Sequence, residues 1–217
     1  MSPHADLAVS ADTPDNDAEC VRRASIIAAA NELLEEEGLD GLTIRAMLKR
    51  TGLARRAFYE RFEGKDDLVV AVFAETLRES AEHLERETAH LAEPLDQLRV
   101  VVDLLVLGSQ PHQGRIGMRR ISAMVREHMR LAQSRPAELE AALQPLITMI
   151  AERISAGIRI GQVRECDPIL QATLIYNLIA STVHIETLME ESGEQASYRR
   201  PRLADEIWEF CRRAIVA

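Results

Sequence analysis

Residues 38–73, GLDGLTIRAMLKRTGLARRAFYERFEGKDDLVVAVF, hold two short basic-and-apolar runs punctuated by glycine and then the start of a longer apolar one. Thr43 stands where a side-chain oxygen caps a helix start, and Ile44, Met47 and Leu48 follow at helical spacing as far as Arg50. "TGL" at 51–53 breaks that helix, because Gly52 accepts backbone angles that β-branched residues resist. A third short helix is expected from Ala54 or Arg55 to Phe62, with Phe58 and Phe62 four residues apart on one face. After the turn "EGK", Asp66 and Asp67 suit the positive end of a fourth helix.

The same periodicity extends in both directions. Ile26, Ile27, Ala30, Leu33 and Leu34 predict a first helix over 21–37, stopped by Gly38. The fourth helix is expected over 66–90, a fifth from Pro94 to Leu107, a sixth over 115–132 after the loop "GSQPHQG", and a seventh over 137–160. Asp167 as cap and Pro168 in the first position open an eighth over 168–190, and a ninth covers 202–215. No strand pattern interrupts them, so the expected class is all-α with about nine helices. The eighth helix is apolar nearly all round and long enough to raise a membrane span. Gln171, Asn177, His184 and Glu186 argue against that, and such a helix is then covered by its own core or by a second subunit.

Composition narrows the classes. With 47% hydrophobic and 28% charged residues, the chain reads as a soluble globular protein. Cys20, Cys166 and Cys211 are odd in number and widely spaced, which suits a reducing cytosol and supplies no zinc spacing. The N-terminus lacks the basic start and apolar core of a signal peptide, and residues 1–19, with five acids and no Lys or Arg, are expected to form a flexible acidic tail. The net charge of −9 conceals one cationic block: residues 43–65 carry seven bases against two acids, and both lysines of the chain, Lys49 and Lys65, lie in it. Two short helices joined by a glycine turn, anchored by apolar residues and basic outside, have the organisation of a helix-turn-helix. Guanidinium groups neutralise phosphates and donate paired hydrogen bonds to guanine, so the block suits duplex DNA. A solvated arginine-rich surface is the plainer alternative.

The whole constellation resembles the N-terminal domain of the TetR family of transcriptional regulators over about residues 21–73. Gly52, Phe58, Tyr59, Phe62, Lys65 and Leu68 match the family pattern in order and spacing. More weakly, "REHMRLAQSRPAELEAAL" and "AGIRIGQVRECDP" look like segments of its effector-binding domain. The resemblance implies a tail at 1–19, a DNA-binding domain at 20–66 and an effector-binding and dimerisation domain at 67–217. It implies that Arg45, Arg55 and Arg56 face base edges, that Tyr59, Arg61 and Lys65 hold phosphates, and that Thr43 and Ala57 lie in the same contact surface. Ala54 and Ala57 stand where the family often has hydroxyl residues, a departure at the backbone contacts. Glu60 either accepts from a cytosine amine or pairs with Arg56, and the pair is the favoured of the two.

By the same resemblance the chain is a repressor that binds palindromic operator DNA as a homodimer in the cytoplasm and is released by a small-molecule effector. A regulator controlled by a protein partner, with no internal ligand, is the alternative. Thr173, Asn177, Ser181 and His184 form a polar stripe on the eighth helix that lines either an effector cavity or a dimer contact. Met118, Met124, Met129 and Met149, with His128 nearby, are either an adaptable ligand wall or core filler, and Trp208 reads as a packing anchor. No G-x-S-x-G, H-E-x-x-H, P-loop or dinucleotide fingerprint is present, so no enzyme activity, cofactor or metal is expected. His83, Glu87 and His90 share a helix face that reads as solvated.

Overall fold

The computed structural model describes residues 14–108, 114–191 and 199–217. Its elements are α1 Pro14–Gly41, α2 Ile44–Thr51, α3 Arg55–Tyr59, α4 Lys65–Thr88, α5 Pro94–Leu107, α6 Gly114–Ser134, α7 Pro136–Arg159, α8 Pro168–Glu191 and α9 Arg199–Ile215. No strand occurs among the described residues; the one extended contact is an isolated bridge between Val163 and Val216 that pins the α7–α8 turn to the C-terminus. The protein is all-α, as the periodicity requires.

Local chemistry accounts for the ends. Thr43 Oγ1 accepts the Ala46 N–H at 3.1 Å, and Gly52, left-handed at φ 68°, donates its N–H to Leu48 to close α2. Gly38, at φ 72°, interrupts the helical path of α1 three residues before its end. Asp167 Oδ1 accepts the N–H groups of Ile169 and Leu170 at 3.0 and 3.2 Å, which starts α8 as the sequence predicts. Two boundaries differ from expectation. α1 begins at Pro14, so residues 14–19 are helical and not tail; a proline opens it as at α5, α7 and α8, where no N–H is needed. The rest of the expected tail, residues 1–13, and most of the "GSQPHQG" loop lie outside the described residues. α3 stops at Tyr59 instead of reaching Phe62, because the chain turns through Glu60 and Arg61.

Two apolar cores organise the molecule. The first joins Ile26, Ile27, Ala30, Leu33 and Leu34 of α1 to Leu42, Met47, Phe58 and Phe62 and to Leu68, Val69 and Val72 of α4. The second takes Phe73, Leu77 and Leu84 of α4, Leu98, Val101 and Val102 of α5, most of the apolar face of α7, and the inner faces of α8 and α9 with Trp208. The cores meet within α4, between Val72 and Phe73, so α4 serves both. α6 also bridges them: its Ala123 is buried in the first core and its Leu131 in the second.

α8 is half covered. Ala172, Ile175, Tyr176, Ile179 and Val183 are buried, while Ile169, Leu170, Leu174, Ile185 and Leu188 face outward. Pro168–Met189 is long and apolar enough to cross a membrane by length and composition alone. Its inner face packs on α7, in the core of a helical domain.

Phe58 and Phe62 are 0% and 2% exposed and stack at 5.5 Å, so they carry the attachment of α3 to the first core. Phe58→Ala is expected to destabilise the protein by about 3–5 kcal/mol, read as a lowered urea midpoint.

Candidate nucleic-acid interface

α3 is a five-residue helix whose inner side is Phe58 and whose outer side is Arg55, Arg56 and Tyr59. Its outer groups are already ordered. The Arg55 guanidinium lies over the Tyr59 ring at 5.6 Å and donates to its hydroxyl at 3.4 Å, a bond that raises the Arg55 pKa further. Arg56, with 91% of its side chain exposed, donates from Nε to Glu60 at 2.9 Å. Glu60 therefore takes the pairing role favoured from the sequence, and it also lies 3.5 Å from Arg61.

Arg45, on the outer side of α2, is exposed, as is Thr43 at its cap. Arg50 turns the other way and braces α2 on α1: Nη2 donates to Glu36 at 2.6 Å, which holds that carboxyl below its ordinary range, and Nη1 reaches Glu32 at 3.5 Å. Lys65, exposed at the start of α4, donates to the Leu39 carbonyl at 3.2 Å and so ties α4 to the turn after Gly38.

Arg61 departs from its expected place. Only 6% of its side chain is exposed, and Nη1 donates to the Ala57 carbonyl at 2.7 Å. Arg61 follows buried Phe58 by three residues and so lies on the covered side of the turn, over the Ala57 carbonyl. Ala57, half-buried, contributes that carbonyl rather than a side chain. Arg61 is thus placed as a C-terminal brace, and Arg45, Arg55, Arg56, Tyr59 and Lys65 remain as the outward set.

The residues singled out for an effector do not form one cluster. Met149 is buried in α7 and Met129 is exposed, and the Met118 side chain lies outside the described residues. Met124 lines a small apolar crevice with Leu34, Leu39, Val69, Val72 and Phe73, at the seam between the two cores. One turn on, His128 packs between Phe73 and Tyr176, with ring centroids at 6.4 and 5.8 Å, and its Nδ1 is 3.4 Å from the Tyr176 hydroxyl. Burial, and then the nearby His184, push the His128 pKa down, while burial pushes that of Tyr176 up. His184 Nδ1 is buried without a protein partner among the described residues. The stripe on α8 divides: His184 belongs to this inner group, whereas Asn177 and Ser181 are exposed and half-buried Thr173 bonds the Ile169 carbonyl. Tyr176 was missed from the sequence because an aromatic in an all-round apolar helix carries no polar periodicity. Trp208 is a core anchor with Arg99 over its ring at 5.9 Å. His83 lies 3.9 Å from Glu87, and no group of three metal-ligating side chains occurs among the described residues.

Comparison with known proteins agrees with this geometry. The family model for bacterial regulatory proteins of the tetR family matches residues 26–72, and Ile26 and Val72 are the first and last residues that α1 and α4 bury in the N-terminal core. Residues 26–72 thus form an N-terminal domain of the tetR type. The HTH-type transcriptional regulator BetI of Stenotrophomonas maltophilia is 34% identical over 91 residues, which are 42% of this chain and 46% of that one, so the match spans about half of the relative's length. A TetR-family transcriptional regulator from Pectobacterium atrosepticum superposes with a TM-score of 0.69 at 20% identity, covering 93% of this chain and 97% of the other. The regulator FadR from Bacillus subtilis, solved in complex with stearoyl-CoA, gives 0.64 at 20% identity, covering 87% and 96%. At these identities the structural likenesses show the fold alone.

The partly buried bond from Arg61 to Ala57 makes a stability prediction that separates brace from phosphate contact. Arg61→Ala is expected to lower the unfolding free energy by about 1–3 kcal/mol, and Lys65→Ala by less, in parallel denaturant titrations.

Proposed function

We propose that the chain is a cytoplasmic transcriptional repressor that binds palindromic operator DNA as a homodimer and leaves it when a small molecule enters the regulatory domain. The observation that carries the DNA part is the outward set on α2, α3 and the start of α4, held on a buried aromatic anchor. A helix end with exposed arginines fits the major groove, Arg55 and Arg56 can each donate a pair of bonds to a guanine edge, and Lys65 sits at a helix N-terminus suited to phosphate.

The dimer is supported by the outer faces of α8 and α9. Leu170, Leu174 and Ile185 are each more than half exposed and Phe210 is 66% exposed, with Asn177 and Ser181 between them. An exposed apolar strip of this kind, edged by polar groups, marks an association surface. A two-fold pair joined here would present its α3 helices to half-sites about one helical turn, roughly 34 to 36 Å, apart. The effector is supported by His128, Tyr176 and His184, set among apolar residues of α4, α6 and α8 with one ring nitrogen unpartnered. Because FadR of like fold was solved with stearoyl-CoA, acyl-CoA thioesters are the first probes to screen for release of bound DNA.

Two measurements test this reading. DNA selected by the wild-type protein from a random pool is expected to lose about 1–3 kcal/mol of binding with Arg55→Ala or Arg56→Ala and to show relaxed sequence preference, whereas Lys65→Ala weakens selected and random DNA alike. Equal losses on both DNAs for all three variants would count against base reading. Light scattering at micromolar concentration should give a dimer for the wild type and a monomer for Leu174→Glu/Ile185→Glu; a monomeric wild type refutes the dimer.

A further inference from the structure

The regulatory domain touches the start of α4 through two arginines that no feature of the sequence singled out. Arg130, late in α6, donates from Nε to Glu127 at 2.8 Å, and its Nη1 lies 3.4 Å from Asp66. Arg135, at the α6–α7 corner, donates from Nε to Glu138 at 2.5 Å, and its Nη2 lies 3.5 Å from Asp67. Asp66 and Asp67 form the first turn of α4 directly after Lys65. They favour the helix dipole, yet both carboxylates belong to the two residues that follow the lysine expected to hold a phosphate.

We propose that Arg130 and Arg135 are positioning residues for DNA binding: they neutralise Asp66 and Asp67 so that Lys65 and the α4 N-terminus accept a phosphate. The cations that complete the DNA face then come from the regulatory domain. Each arginine has a second carboxylate in its own corner, Glu127 or Glu138, at a shorter distance than the aspartate across the domain boundary. The α6–α7 corner can therefore withdraw with both arginines still paired, leaving two bare carboxylates beside the phosphate. Charge, and not only the spacing of recognition helices, thus links the two domains. The inference rests on the DNA-binding reading above.

The test is a rescue measured on the full chain with the DNA selected by the wild type. Arg130→Gln/Arg135→Gln is expected to weaken binding about three- to tenfold, on the scale of exposed ion pairs, and adding Asp66→Asn/Asp67→Asn should restore it to within about twofold. Asp66→Asn/Asp67→Asn alone should bind at least as tightly as the wild type, a result that does not depend on the arginine variants folding. No loss in the arginine variant overturns the proposal. So does a loss that the asparagines fail to restore, which would mean that the arginines touch DNA themselves or act through shape, and so does weakened binding by the asparagine variant alone. A wild type that selects no DNA sinks the DNA-binding reading and this inference together; wild-type binding with any of the three contrary results sinks this inference alone.

Discussion

α4 is a single helix of 24 residues, roughly 36 Å at 1.5 Å per residue, and it is buried in two cores in succession. Leu68, Val69 and Val72 close the N-terminal core, and from Phe73 onward the same helix closes the second core. A continuous helix does not bend without losing backbone bonds, so a displacement at one end carries to the other. Polar contacts fix its rotation: Thr76 meets Asn31 of α1 at 3.4 Å, and buried Arg153 of α7 grips Glu85 with both terminal nitrogens at 2.9 and 2.6 Å and reaches Thr88 at 3.3 Å. Paired guanidinium–carboxylate bonds are directional, so they set how α7 and α4 lie against each other more than they add stability.

The α3 end works by a division between inside and outside over very few residues. Phe58 and Phe62 point in and stack, while Arg55, Arg56 and Tyr59 point out and are pre-arranged by their own contacts. Ordering long side chains before they meet a partner reduces the entropy lost on binding. Glu60 serves this arrangement twice, lying beside Arg56 on the surface and Arg61 beneath it.

In the second core, burial is distributed unevenly over α8. One side packs on α7 around Ile175 and Ile179, and the opposite side leaves large aliphatic groups in solvent. The polar residues follow the same division. Asn177 and Ser181 lie outside, while His184 turns toward His128 and Tyr176 between α6 and α8.

The sequence alone determined what depends on neighbours within a few positions. Helix class and most helix ends followed from apolar spacing and from Thr43, Gly38, Gly52, Asp167 and the prolines, because caps and stops act over one turn. The motif from Gly52 to Leu68 also pointed to the tetR-type N-terminal segment, since the glycine turn, the aromatic pair and the basic outer face lie within one short stretch. Tertiary structure alone decided the direction of individual side chains. The α8 stripe kept a regular spacing but split between inside and outside, because which side of a uniformly apolar helix is covered depends on where α7 packs. Arg130 and Arg135 met Asp66 and Asp67 only because the fold returns the α6–α7 corner to the start of α4, more than sixty residues earlier, and no local pattern encodes such a contact.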